Sequence, residues 1–252
     1  MSKEVTGLRG YEGTGGKPGV PTTPNPRTPA TPQPRDPETA KLPPGIRTWR
    51  DGRVLPVALK SYDLIVIGCS MGGMHALEII FRSFPKGFRV PIVVVQHRYK
   101  TSGDALPAYF ARHSDLQVVD ATDKQWVKPG HVYIAPADYH LLVEREGDHG
   151  ELNLSVDAAV AYSRPSIDVL FESAADAYQQ SVAAVILTGA NSDGTRGAQR
   201  IRQRGGFVLA QDPATAEAPA MPEAAIAAGC VDRILPLERI GPFLVELCRN
   251  ST

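Results

Sequence analysis

The chain is poor in cysteine: Cys69, Cys230 and Cys248 are the only three in 252 residues. They are too few and too widely spaced for a disulfide framework, and their apolar or helical surroundings suit buried thiols of a reducing compartment. No apolar signal core opens the sequence, and no apolar run approaches the ~20 residues needed to span a bilayer. The expectation is a soluble, cytoplasmic protein with no membrane insertion. Net charge is also lacking, with 27 basic residues against 27 acidic ones. No segment has the basic density of a nucleic-acid surface, so no nucleic-acid partner is expected. His75, His113, His131, His140 and His149 show no metal-ligand spacing, which predicts no metal site.

What the sequence does have is unevenly distributed. Ten of its 22 prolines fall between Pro18 and Pro44, in stretches nearly devoid of apolar residues. Such a stretch cannot bury enough surface to offset its ordering entropy. Residues 1–58 therefore read as a disordered or partly polyproline-II arm, a linker or a docking segment for a partner. Residues 59–252 read as one folded domain. Up to residue 57 the arm carries nine Lys or Arg against five Asp or Glu, a weak basic bias taken as solvation.

Within the domain, short apolar runs alternate with helical periodicity. Strands are predicted at 64–68, 91–96, 117–121, 183–188 and 207–211, and helices at 73–84, 102–113, 166–180, 195–204, 223–228 and 239–249. This pattern predicts an α/β fold: a doubly wound, mostly parallel sheet with helices on both faces. The segments 131–136, 139–144 and 151–155 alternate like antiparallel strands and predict a hairpin insertion.

Ligands of such sheets bind at the carboxyl ends of the strands. Ser70 follows the first strand, His97 the second, and Asp193 lies just beyond the fourth. A serine before a helix N-terminus can use unpaired amides and the positive end of the helix dipole to stabilise an oxyanion. The roles follow: Ser70 as nucleophile, His97 as general base and then acid, Asp193 to hold the imidazole. Each has a blander use, Ser70 as an N-cap, His97 as a strand-end histidine and Asp193 as a turn residue, but three catalytic types at three strand ends favour chemistry. Gly68-Cys-Ser-Met-Gly72 also matches the nucleophile elbow of α/β-hydrolases, without that fold's later acid and histidine. A dinucleotide loop is the weaker reading, because Ser70 takes the second glycine position and Gln96-His97 stands where an acidic ribose partner belongs.

From about Tyr62 to Leu247 the chain resembles the catalytic domain of CheB, the bacterial protein-glutamate methylesterase of chemotaxis. The resemblance is carried by Ile67-Gly-Cys-Ser-Met-Gly-Gly73, Val95-Gln-His97, Pro129-Gly-His-Val-Tyr-Ile-Ala-Pro136, Ser163-Arg-Pro-Ser-Ile-Asp168, Ile186-Leu-Thr-Gly-Ala-Asn-Ser-Asp-Gly194 and Ala220-Met-Pro-Glu-Ala-Ala225. It implies cofactor-free hydrolysis of glutamate γ-methyl esters on the signalling helices of chemoreceptors, and deamidation of selected glutamines. Ser70, His97 and Asp193 would be the triad. Met71, Gly72, Ala190 and Asn191 would border the oxyanion and substrate cleft, with Arg164 facing the acidic substrate.

The chain also departs from that family. Met71 stands where threonine is usual, Ala190-Asn191 where Met-Gly is usual, and Tyr162-Ser163 precede Arg164-Pro165 where histidine is common. The first 58 residues are too short and proline-rich for the receiver domain that usually precedes the catalytic one. The expectation is a stand-alone methylesterase, constitutive or gated by its arm. The competing expectations are a non-catalytic module that docks to receptors or signalling partners, and a serine hydrolase of another ester.

Overall fold

The structure is a computed structural model and describes residues 61–100 and 105–249. The expected arm, residues 1–58, lies outside the described residues, as does the start of the second expected helix. The elements in chain order are β1 (Leu64–Cys69), α1 (Gly73–Phe81), β2 (Ile92–Gln96), α2 (Ala105–Phe110), β3 (Gln117–Asp120), β4 (Gln125–Trp126), β5 (His131–Ile134), β6 (His140–Glu146), β7 (His149–Ser155), α3 (Ile167–Tyr178), β8 (Val182–Ile186), α4 (Thr195–Gln203), β9 (Phe207–Gln211), α5 (Ala220–Ala227), β10 (Arg233–Leu235) and α6 (Leu237–Leu247).

Seven strands form one sheet in the order β10-β9-β8-β1-β2-β5-β3, with every neighbouring pair parallel. The side-chain period of two explains how this sheet is covered. Ile65, Ile67 and Cys69 of β1 join a core built with Leu77, Ile80 and Phe81 of α1 and Ile240 and Leu244 of α6. Leu64 and Val66 point the other way, into a core with Ile167, Leu170 and Phe171 of α3, Ala198 and Ile201 of α4, and Met221 of α5. Both faces of β1, β2, β8 and β9 are buried throughout, as their unbroken apolar runs require. Among the described residues no helix is long and apolar enough to cross a membrane.

One assignment needs correction. The run 131–136 does not open the antiparallel insertion; β5 lies inside the parallel sheet, with Val132 paired to Ile92 of β2 on one side and to Val118 of β3 on the other. Val132, Tyr133, Ile134 and Ala135 are all buried, so this is a two-sided run rather than an alternating one. The insertion proper is the β6–β7 hairpin, extended by the two-residue β4 against β7. Neither β4 nor the three-residue β10 has enough length to show a period in sequence. Helix α5 starts at Ala220, three residues earlier than expected, with Pro222 in its first turn, where a missing N–H costs no helical bond.

Candidate active site

The carboxyl ends of β1, β2 and β8 lie side by side in the sheet, and their loops are stitched together by the backbone. Ser70 N–H donates to Thr188 O at 2.9 Å, and His97 N–H donates to Cys69 O at 3.0 Å. Gln96, buried at the end of β2, donates from Nε2 to Ser70 O at 2.9 Å and to His97 O at 3.0 Å, while its Oε1 accepts from Cys69 Sγ. Thr188 Oγ1 donates to Met71 O at 2.8 Å and accepts from Ala218 N–H at 2.9 Å. Serine and histidine are thus fixed from both neighbouring strands. Cys69 beside them is inert, because burial pushes its thiol far above the usual range.

Ser70 is not the cap of α1. That position belongs to Gly72, whose left-handed backbone (φ 78) makes no side-chain cap bond. A Cβ there would also lie 2.7 Å from Glu217 Cβ, so glycine is needed on two counts. Among the described residues no acceptor is found for the amides of Met71 and Gly72, or for the Ser70 hydroxyl. The start of α1 therefore keeps bare donors beside the serine.

His97 and Asp193 meet directly, Nε2 to Oδ2, at 2.7 Å. The carboxylate is wholly buried behind the ring, and three further donors fill it. Oδ1 accepts from Ser166 Oγ and Asp168 N–H, each at 2.9 Å, and Oδ2 accepts from Ile167 N–H at 2.8 Å. Ser166 is the N-cap of α3 and makes no cap bond of its own. Asp193 thus caps α3 from another part of the chain, where the dipole also favours its charge. Burial pushes this carboxyl up, but the bonds from His97, Asp168 and Ile167 outweigh burial and hold it below the ordinary range. It is an ionised partner for an imidazole, and Nδ1 is the ring nitrogen left for other chemistry.

Ser70 and His97 open into one cleft of about 760 Å³ that Met71, Arg98, Tyr99, Asp138, Tyr162 and Arg164 also line. Its rim carries exposed apolar side chains among the charged ones: Met71 is 57% exposed and Tyr162 fully so. Tyr162 is held out by a tight turn in which it and Ala161 are both left-handed (φ 63 and 48), closed by Ser163 N–H to Val160 O. Arg164 reaches the cleft, but not as a free cation. Its guanidinium binds Asp138 Oδ1 at 3.1 and 2.5 Å and the carbonyls of Val156 and Asp157. Lys100 and Arg164 together hold the Asp138 carboxyl below its usual range. Arg164 thus ties the loops together from within the cleft that it lines, its charge already paired with Asp138 where a substrate-facing cation was expected.

The remaining expected cleft residues sit in the loops that flank Ser70, where a Cβ on Gly189 would lie 3.0 Å from Ser70 Cβ. Gly72 borders a neighbouring hollow with Thr188 and Glu217. Ala190 and Asn191 do not line the cleft with Ser70, and Asn191 Oδ1 accepts from Asp193 N–H at 3.2 Å, holding the turn that presents Asp193. Gln96, Ser166 and Asp168 fall within motifs that carry the family resemblance, but their roles escape a reading of the sequence. A serine before a helix signals a cap, but nothing local shows that the cap arrives from 27 positions away. Among the described residues no group of three or more His, Cys, Asp or Glu could hold a metal ion.

Comparison with known proteins adds the family context. Residues 65–244 match the family model described as CheB methylesterase. A relative from Leptospira interrogans, named putative protein-glutamate methylesterase/protein-glutamine glutaminase, is 41% identical over 191 residues, covering 76% of this chain and 97% of that protein. One from Thermotoga maritima, named protein-glutamate methylesterase/protein-glutamine glutaminase, is 39% identical over 187 residues, covering 74% of this chain but 54% of its own length. The crystal structure of the Thermotoga maritima CheB methylesterase catalytic domain superposes with a TM-score of 0.72 at 38% identity, over 75% of this chain and all of that one.

Proposed function

The chain belongs to the CheB methylesterase family, and on that premise we propose that it hydrolyses glutamate γ-methyl esters on the signalling helices of chemoreceptors, releasing methanol. Deamidation of glutamines at the same site is its second activity, in keeping with the paired names of its relatives. The observation that carries this reading is the 2.7 Å contact of His97 Nε2 with a buried, ionised Asp193, in the cleft that Ser70 also lines. The work is done within residues 59–252, in the cytoplasm, where receptor signalling helices are met.

The chemistry runs through Nδ1 of His97. Because Asp193 holds Nε2–H, Nδ1 is the base that takes the Ser70 proton as Oγ attacks the ester carbonyl. Ser70 Oγ makes no hydrogen bond in the free chain among the described residues, so it turns onto Nδ1 when substrate fills the cleft, as in many resting sites. The carbonyl oxygen becomes an oxyanion, met by the unpaired amides of Met71 and Gly72 at the start of α1. The imidazolium returns its proton to the departing methoxide, which leaves as methanol. Water then attacks the acyl-serine, His97 takes its proton, and the collapsing intermediate restores the Ser70 hydroxyl and leaves a free glutamate. A backbone-made oxyanion site does not need the threonine that Met71 replaces.

Methanol release from methylated receptor fragments tests the reading. The wild-type chain is expected to release methanol, and Ser70→Ala and Asp193→Asn to lose roughly 10³-fold or more in kcat. Release that persists in Ser70→Ala, or no release from a folded wild type, would point instead to another ester or to a docking module.

A further inference from the structure

Asp168 has no part in the chemistry above, yet its carboxylate is buried close behind the His97–Asp193 contact. Its Oδ1 accepts from Gly194 N–H at 3.0 Å and Gly197 N–H at 2.8 Å. Those amides open α4, whose N-cap is Gly194 and which carries no side-chain cap of its own. Gly194 is left-handed (φ 94), and a Cβ there would lie 2.6 Å from Ile167 Cγ2. The arrangement mirrors the one around Asp193. A carboxylate in the turn before α4 caps α3, and a carboxylate in the first turn of α3 caps α4.

We infer that Asp168 is a positioning residue for ester hydrolysis: by capping α4 it locks the preceding turn, residues 192–194, so that Asp193 stays on His97 Nε2. The inference rests on the hydrolytic reading of Ser70, His97 and Asp193. Within that turn the backbone itself adds one bond, from Thr195 N–H to Ser192 O at 3.2 Å, and beside the bonds of Asp193 itself Asp168 adds a second tie to α3. Each carboxylate needs the other's helix in place, so neither turn can move alone.

The groups that face Asp168 set the sign of its electrostatic effect. They are Asp193 in the turn before α4, Arg196 on α4 at 3.8 Å and Glu172 one turn further along α3; His97 lies beyond Asp193, and His140 on β6 accepts at Nδ1 from Ser166 N–H. Burial pushes the Asp168 carboxyl up, the Gly197 amide opposes this, and the charge of Asp193 adds to it. An ionised Asp168 adds a second negative charge near the imidazolium that forms during turnover and stabilises it.

The test compares Asp168→Ala and Asp168→Asn in the full chain, by kcat and KM for methanol release per folded molecule, by the pH profile, and by the NMR signal of the His97 ring proton bonded to Asp193. Asp168→Ala is expected to lose roughly tenfold or more in kcat with KM little changed, and to lose the ring-proton signal to solvent exchange. Asp168→Asn keeps an oxygen for both amides, so it regains kcat to within about threefold, while the acid limb of kcat/KM moves to lower pH because one negative charge is gone. A kcat and ring proton unmoved in Asp168→Ala would overturn the inference. If that variant does not fold, Asp168→Ser, whose shorter side chain cannot span both amides, takes its place, and an unmoved kcat and ring proton there overturn the inference. If the wild type turns over no ester, the functional reading fails by itself, and the ring proton still decides the role of Asp168.

Discussion

Two helix starts border the cleft, and they are finished in opposite ways. At α1 the cap is a left-handed glycine, no side chain satisfies the first turn, and the amides of Met71 and Gly72 have no acceptor among the described residues. At α3 the Asp193 carboxylate takes the amides of Ile167 and Asp168 and the hydroxyl of Ser166, and leaves one contact for His97. The same partial positive charge serves both. Left open, it suits the charge that would develop during the proposed reaction. Filled, it keeps a permanent charge in place.

Removing the filling breaks the contrast most severely. Asp193→Ala strands two buried amides and a hydroxyl, which is expected to destabilise the fold by about 2–4 kcal/mol beyond abolishing turnover. The effect has a pH signature. Asp193 is held below its ordinary value, so its ionic contribution is complete above the unfolded value of about 4 and is lost as pH falls through the lower folded value. Thermal unfolding should show the gap between wild type and variant steady from about pH 8 to about 5 and narrowing below about pH 4. A gap that widens on acidification would contradict the cap.

Closing the open start is the milder change. Gly72→Ala puts a Cβ on a left-handed residue and against Glu217, with an expected cost of about 1–2 kcal/mol from backbone strain alone. Since the bare amides move with it, kcat should fall roughly tenfold while KM holds. Full kcat in a folded variant would remove α1 from the oxyanion site.

The smallest effect is expected at the rim. Arg164→Met releases Asp138 and the carbonyls of Val156 and Asp157, at a cost of about 1 kcal/mol seen in chemical denaturation, with KM within about twofold. A large rise in KM would give Arg164 the substrate-facing role expected of it as well.

Much of this is legible in the chain because it depends on periods and residue types. The apolar runs at 64–67, 92–95 and 182–186 announce buried strands, and their ends announce Ser70, His97 and the loop of Asp193. The run 131–136 misleads because four consecutive buried residues beside a genuine hairpin look like its first strand. The sequence suggests side chains of Asn191 and Arg164 turned to substrate, whereas in the structure both are bonded within the turns and loops around the site. The capping role of Asp168 gives no signal, because a cap that crosses 26 positions to Gly194 has no local pattern.

The sequence by itself therefore determined the longer strands, the helices and the three residue types at the sheet edge, since hydrophobic period and turn chemistry act over a few residues. Only the tertiary structure decided which helix each carboxylate would cap, which ring nitrogen of His97 remained free and which amides stayed bare. Those outcomes follow from the packing of α3 and α4 against β1 and β8, where a buried polar group must find its partner in space wherever the chain has placed it.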